Sequence, residues 1–475
     1  MMRRFDLGVL PLAVATLCCV ALGVTPARAA AIITQFQGAT LSQSGFVPPD
    51  MGLSVGDGYA VQLLNGVATI DTTAGQQVSQ TSLNAIFHAS GQVSDPRVIF
   101  DPSSQLWFAS AVTITGGSTS SPNSILLAVS SGANPTAGFR ALAFGSANST
   151  TFADFPTLGV NGAAVTIATN DFSTATGAFI ASSVYSIPKA SLTATTPTLA
   201  GQTNFIQNAA SVGLTAQAVT NAAAGGTSTS VLSTASLGAN QVYALSTIAG
   251  ANAPGATLSL TQTYTQPGSS VLIAPTQPGG ATYAPGDTRI GSTAFQSGNY
   301  IYIANTVSNG ISDQISWLVL NATNKAVQAS GIITIPGESL TYGSISGNAA
   351  GTFVVAFNGS GTTQNITDYY AICSVSTGSC GSPQIDYTSP ANNYVNSPAG
   401  SNRWGDYSVV TIDPTNPNNF WLGQQYALTN SSWGTVVTQI ATGASVPEPA
   451  GFALFAAGLT GLLFVRRRKM LSRPR

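Results

Sequence analysis

Charge is what this chain has least of: Asp, Glu, Lys and Arg make up 7% of its 475 residues, against roughly 25% in an average soluble domain. That scarcity excludes a disordered acidic or basic tail and a charged coiled coil. The few charges are also unevenly placed. Nine of the 15 basic residues lie at the ends, at Arg3, Arg4, Arg28, Arg466, Arg467, Arg468, Lys469, Arg473 and Arg475. With these, Asp6 and Glu448 set aside, the body holds 6 basic residues against 14 acidic ones, a net charge of −8. A phosphate backbone would be repelled, which excludes nucleic-acid binding. Glutamate is nearly absent and lysine rare, while Gly 49 and Pro 25 are abundant. Losing the good helix formers points to an all-β body.

The two ends read as addresses. Met1-Met2-Arg3-Arg4 precedes an apolar stretch from Leu7 to Val24, and Ala27 and Ala29 form a small-x-small cleavage signature ahead of Ala30. Residues 1–29 therefore read as a secretory signal peptide that is removed. Cys18 and Cys19 lie in its apolar part, but Ala15-Thr16-Leu17 before them lacks the small residue of a lipoprotein signal.

At the other end, in 446–475, Val446-Pro447-Glu448-Pro449 is followed by the uncharged run Ala450 to Val465 and then by Arg466-Arg467-Arg468-Lys469. An apolar helix of that length reaches only about 24 Å at 1.5 Å per residue, short of a hydrocarbon core of about 30 Å. It suits a temporary anchor whose basic cluster stays cytoplasmic while the body is exported. The prolines keep the preceding segment extended and open to a protease. Motif, apolar run and basic cluster in this order resemble the PEP-CTERM sorting signal of exopolysaccharide-producing Gram-negative bacteria. The resemblance implies passage through the Sec translocon, transient insertion of the C-terminal helix in the inner membrane, and processing by exosortase. The destination it implies is the cell surface or extracellular matrix.

Between the ends, in 30–445, short apolar runs recur, among them Val165-Thr166-Ile167-Ala168-Thr169, Ile315-Ser316-Trp317-Leu318-Val319-Leu320 and Thr352-Phe353-Val354-Val355-Ala356-Phe357. Their length, β-branched and aromatic content and flanking turn residues predict strands. Two distant segments share a scheme: Asp95-Pro96 through Asp101-Pro102 into Leu106-Trp107-Phe108, and Asp406-Tyr407 through Asp413-Pro414 into Phe420-Trp421-Leu422. Weaker copies begin at Asp50, Asp154 and Asp287, one at Gly343-Ser344 lacks the Asp, and a degenerate start is placed near Ser211. This recurrence predicts a β-propeller of seven blades, each of about sixty residues and four strands; six blades, one of them elaborated, fit less well. Ile32–Phe36 and Thr435–Ile440 are the terminal strands expected to share a closing blade.

Pro48-Pro49-Asp50-Met51-Gly52, Val61-Gln62-Leu63-Leu64-Asn65-Gly66, Ser94-Asp95-Pro96-Arg97-Val98 and Arg403-Trp404-Gly405-Asp406-Tyr407-Ser408 resemble segments of secreted bacterial proteins with sialidase-like propellers of unassigned activity. That resemblance implies fold and export, and carries no reaction with it.

Chemistry is sparse. His88 is the only histidine and has no Gly-x-Ser-x-Gly elbow near it, so it reads as a loop or half-buried residue. Cys373 and Cys380 flank a strand-turn-strand sequence in an exported chain and are expected to form a disulfide. Asp50, Asp95, Asp154, Asp287 and Asp406 open the repeats. Equivalent blade positions ring the axis, so these five either converge as hard ligands for Ca²⁺ or cap turns through backbone N–H groups, the second being favoured. Arg97, Arg289 and Arg403 each lie within three residues of a repeat Asp. They could clamp a sugar carboxylate, but Asp–Arg pairing between blades is the expected use. The sialidase Ser-x-Asp-x-Gly-x-Thr-Trp pattern is absent, and Glu338 is the only glutamate of the body. Two functions follow: a non-catalytic module binding exopolysaccharide, surface glycan or protein, with no catalytic residue, or a glycan-processing, sialidase-like hydrolase.

Overall fold

The computed structural model describes residues 31–443, apart from 116–118, 208–211, 224 and 398–401. Among these residues the strands form seven antiparallel units, six of four strands and the sixth blade of five, where Ser379–Cys380 and Gln384–Thr388 both pair with Gln364–Ser374. The innermost strands, in chain order, are Gly52–Gly56, Gln92–Asp101, Thr151–Val160, Leu214–Asn221, Ala294–Ser297, Ser339–Gly347 and Val409–Ile412. Each lies against the next, and the last lies against the first, so the ring closes around one axis. Blades 4 and 5 are joined through their innermost strands, which pair in parallel from Val219↔Ala294 to Asn221↔Gln296. The gap of about two periods after Asp154 is therefore blade 4, and the seven-bladed reading holds.

Ring closure uses both termini. Ala31–Thr40 forms the outer strand of blade 7 and pairs antiparallel with Ser432–Ala441, with Ile32 opposite Ile440 and Phe36 opposite Val437. This covers an edge that would otherwise present unpaired backbone groups. The blades are fastened to one another by their faces. Val61, Leu63 and Ile70 of blade 1 pack on Val98, Phe100 and Trp107 of blade 2. Tyr302 and Trp317 of blade 5 meet Phe353 of blade 6 at ring-centroid separations of 5.5 and 5.0 Å. Each such side chain contributes about 1.5–3 kcal/mol when fully buried. Close approach of the inner strands depends on small residues: a Cβ added at Gly159 would lie 2.5 Å from the Cβ of Ala218 in the next blade.

The repeated Asp-Pro turns have a clear local cause. The Asp413 carboxylate accepts the N–H of Thr415 at 2.8 Å and of Asn416 at 3.2 Å, and the indole N–H of Trp421 at 3.0 Å. Asp101 holds its own turn through Ser103 and Ser104 and ion-pairs with Lys189 of blade 3. Cys373 and Cys380 are disulfide-bonded across the edge of blade 6 and face each other in register. The signal segment with Ala27 and Ala29, the motif Val446 to Pro449, the apolar helix and the basic cluster Arg466 to Lys469 lie outside the described residues, as does Ser211. No helix among the described residues is long and apolar enough to cross a membrane.

Candidate functional site at the axial mouth

Four of the inner strands carry a β-bulge near their start, at residues 95–96, 155–156, 215–216 and 342–343. Proline follows in the first two, where the bulge frees the ladder from needing its N–H. The first bulged residue is left-handed in every case, with φ of 57° at Asp95, 50° at Phe155, 50° at Thr215 and 56° at Tyr342. Aspartate tolerates that region; a bulky or β-branched residue does so only under strain. Strained residues thus encircle one end of the axis, where the inner strands begin.

Each strained turn is latched by a neighbouring blade. The Asp95 N–H donates to Asn65 Oδ1 at 2.9 Å, the Phe155 N–H to Asp95 Oδ2 at 3.2 Å, the Thr215 N–H to Asn170 Oδ1 at 3.1 Å and the Tyr342 N–H to Thr306 Oγ1 at 3.1 Å. The Asp406 N–H donates to Asp50 Oδ1 at 2.9 Å, and Asn65 Nδ2 donates to Asp50 Oδ2 at 2.8 Å. Asp287 accepts the N–H of Arg289 in its own turn at 2.5 Å, whereas Asp50 and Asp95 accept backbone N–H groups of other blades. Asn65 was missed in the sequence because an Asn in a hairpin turn normally serves its own loop.

Two long linkers build the mouth's wall. The one into blade 5 and the one into blade 7 are sewn together, with Gly279 N–H donating to Asn392 O at 2.9 Å and Asn402 Nδ2 to Thr282 O at 2.7 Å. Trp404, fully buried between Tyr283 and Tyr394, anchors the pair. They present Asp287 with Arg289 and Arg403 with Asp406, as ion pairs of 2.5 and 2.9 Å. These pairs are formed within each linker, correcting the expectation of Asp–Arg pairing between blades. Among the described residues the ion pair that joins two blades is Lys189–Asp101. The alignment of repeats is corrected as well: Asp154 stands in register with Ser94, and Phe155 takes the place of Asp95. Asp287 is exposed in its linker, outside any strand.

The resulting cavity, of about 280 Å³, is lined by Asp154, Phe155, Phe172, Tyr342, Arg289, Arg403 and Asp406 with their neighbours. Burial and the repulsion of Asp95 and Asp406 push the Asp154 carboxyl up to about 8. Asp406 rises to about 6 through burial, against the pull of Arg403. Asp50, buried beneath the mouth and repelled by Asp406 and Asp95, is held well above the usual carboxylate range. Asp50, Asp95, Asp154 and Asp406 lie close enough to repel one another. Among the described residues, however, no group of three or more His, Cys, Asp or Glu is disposed to hold a metal ion. Asp50 accepts the Asn65 side-chain N–H at 2.8 Å and Asp287 the Arg289 backbone N–H at 2.5 Å.

Arg97 is a special case. It is 3% exposed, sits over the Tyr407 ring at 3.2 Å and beside Phe155 at 5.1 Å, and donates from Nη2 to Gly291 O at 3.0 Å. It forms no ion pair with Asp95 and does not line the mouth cavity, so the three arginines are not brought together as one clamp. His88 ends the helix Leu83–Phe87 as an exposed, left-handed cap, far from this chemistry in role.

No curated protein matches the chain in sequence. Among solved structures it is similar to the α-L-arabinofuranosidase of Fusarium graminearum, at 9% identity and a TM-score of 0.39, covering 84% of this chain and 94% of that one. It is similar to the α-L-arabinanase of Penicillium chrysogenum, at 10% identity and a TM-score of 0.39, covering 87% and 100%. The sialidase of Trypanosoma rangeli follows at 11% identity and a TM-score of 0.31, covering 81% and 59%. Residues 445–469 match the PEP-CTERM protein-sorting motif, and the chain thereby carries the address of an exosortase-processed surface protein of Gram-negative bacteria, exported with a membrane-anchoring C-terminal signal.

Proposed function

We propose that the propeller is a non-catalytic glycan-binding module of the exopolysaccharide layer, released to the cell surface or matrix once exosortase removes its anchor. The observation that carries this is the mouth itself. A cavity of about 280 Å³ combines aromatic walls, Phe155, Phe172 and Tyr342, with the planar charged groups of Arg289, Arg403 and Asp406. Apolar rings suit the C–H faces of a sugar, while guanidinium and carboxylate groups suit its hydroxyls or carboxylates. Glycan arrays read beside a screen against acidic and neutral glycosides test it: binding without release of shortened products is the expected pattern. Export is tested separately by mass spectrometry of the mature C-terminus in an exosortase-bearing host, where a tail still reaching Arg475 would sink the sorting reading.

One observation favours the hydrolase reading. Asp154, pushed up to about 8, is protonated at neutral pH, and Asp406 at about 6 is largely ionised on the same cavity. An acid and a base held apart in this way are what glycosidic cleavage uses. Loss of hydrolysis in both Asp154→Asn and Asp406→Asn would establish that reading in place of the first.

A further inference from the structure

The axis holds a second chamber at its other end. Where the mouth lies at the start of the inner strands, a separate cavity of about 290 Å³ lies toward their ends. Its walls are mostly apolar: Val55, Ile99, Phe100, Phe295, Val409 and Ile412, from four different blades, line it together, with Ser, Thr and Gln side chains between them. Arg97 is also among its lining residues and stands between the two spaces, because its Nη2 touches Gly291 on the mouth side.

The Arg97 guanidinium is incompletely satisfied. Its Nε and Nη1 are buried and find no hydrogen-bond partner among the described residues. A buried cation with unpaired donors is costly, and a carboxylate matches the guanidinium fork best. The other ionisable group of the chamber, Asp413, is fully occupied by Thr415, Trp421 and Gln439. It therefore offers no partner to Arg97.

We propose that this chamber binds a small carboxylate with an unbranched apolar chain, its head on Arg97 and its chain along the inner-strand walls. The volume sets the size. A methylene takes about as much room as a water in the liquid, roughly 30 Å³, so a chain of about eight carbons fills the space. The site is separate from the glycan mouth and does not depend on what binds there.

Calorimetric titration of the exported protein with octanoate and with 1-octanol tests the assignment. Octanoate should bind with a Kd below about 1 mM, and octanol, equal in length but lacking the charge, at least about tenfold more weakly. Ile412→Trp, which fills the chamber, should abolish octanoate binding while the protein still melts cooperatively. Arg97→Met should weaken octanoate to the level of octanol. Equal affinity for acid and alcohol, no heat above dilution at several times about 1 mM, or undiminished binding in Ile412→Trp would overturn it. Should Arg97→Met fail to fold, the comparison of acid with alcohol on the unaltered protein still decides.

Discussion

Replacing Asp154 by Asn should make the propeller more stable at alkaline pH and leave it unchanged in acid. The carboxyl stands at about 8 in the folded protein, through burial and the repulsion of Asp95 and Asp406, whereas in an unfolded chain it would titrate near 4. Between those two values the folded state holds a proton that the unfolded state has lost. Stability attributable to this group therefore falls as pH rises through that window, and below about pH 4 it contributes nothing. Each tenfold difference in proton affinity is worth about 1.4 kcal/mol, which bounds the penalty above pH 8 at roughly 5 kcal/mol. Asn carries no charge, so the variant sheds the burial cost together with both repulsions and should recover up to that bound. Urea denaturation at about pH 4, 6 and 9 reads this directly. The variant and the parent should coincide at the lowest pH and separate at the highest. Parallel profiles across the series would refute the claim that Asp154 is a buried carboxyl under repulsion.

Asn65→Ala should cost about 3 kcal/mol or more in the same assay, because it leaves the Asp95 N–H and one Asp50 oxygen unpaired in a buried latch; a loss within about 0.5 kcal/mol, typical of a surface site, would show that the latch is dispensable. Deleting residues 30–37 should strip the outer strand from blade 7 and cause aggregation; unchanged solubility and melting temperature would show that the ring closes without it. Thermal melts with Ca²⁺ and with chelator should coincide, since Asp95 and Asp50 accept the backbone N–H groups of Phe155 and Asp406; a clear rise in melting temperature with Ca²⁺ would favour the metal reading.

Much of the fold was legible because strand, turn and repeat left separate marks. Asp101-Pro102 and Asp413-Pro414 end inner strands with carboxylates that cap their own turns, so sequence and geometry coincide there. Blade 4 left almost no mark, because Thr215 occupies the latch position that Asp95 holds in blade 2. Backbone geometry fixes that position, and the side chain is free to vary. The same freedom produced the error at Asp154: its Asp-Phe-Pro resembles Asp-Pro, but the bulge places the phenylalanine one step later, at the left-handed residue. The convergence of carboxylates was foreseeable from radial repetition. Their pairing was not, since Arg289 and Arg403 found partners in their own linkers before any neighbouring blade could supply one. The chamber beyond Arg97 left no sequence signal, being lined by strand residues that read as ordinary core.

Affinity at the mouth tests the central claim most directly. Arg289 and Arg403 sit on linkers, with side chains 27% and 51% exposed, so their replacement by Ala should leave the propeller folded. Calorimetric titration of a glycan drawn from the array, followed by chromatography of the recovered ligand, should give saturable binding that weakens at least about tenfold in the double variant, with the glycan returned intact. Binding indifferent to both arginines, or a glycan returned in shortened form, would contradict a non-catalytic binding site at the axial mouth.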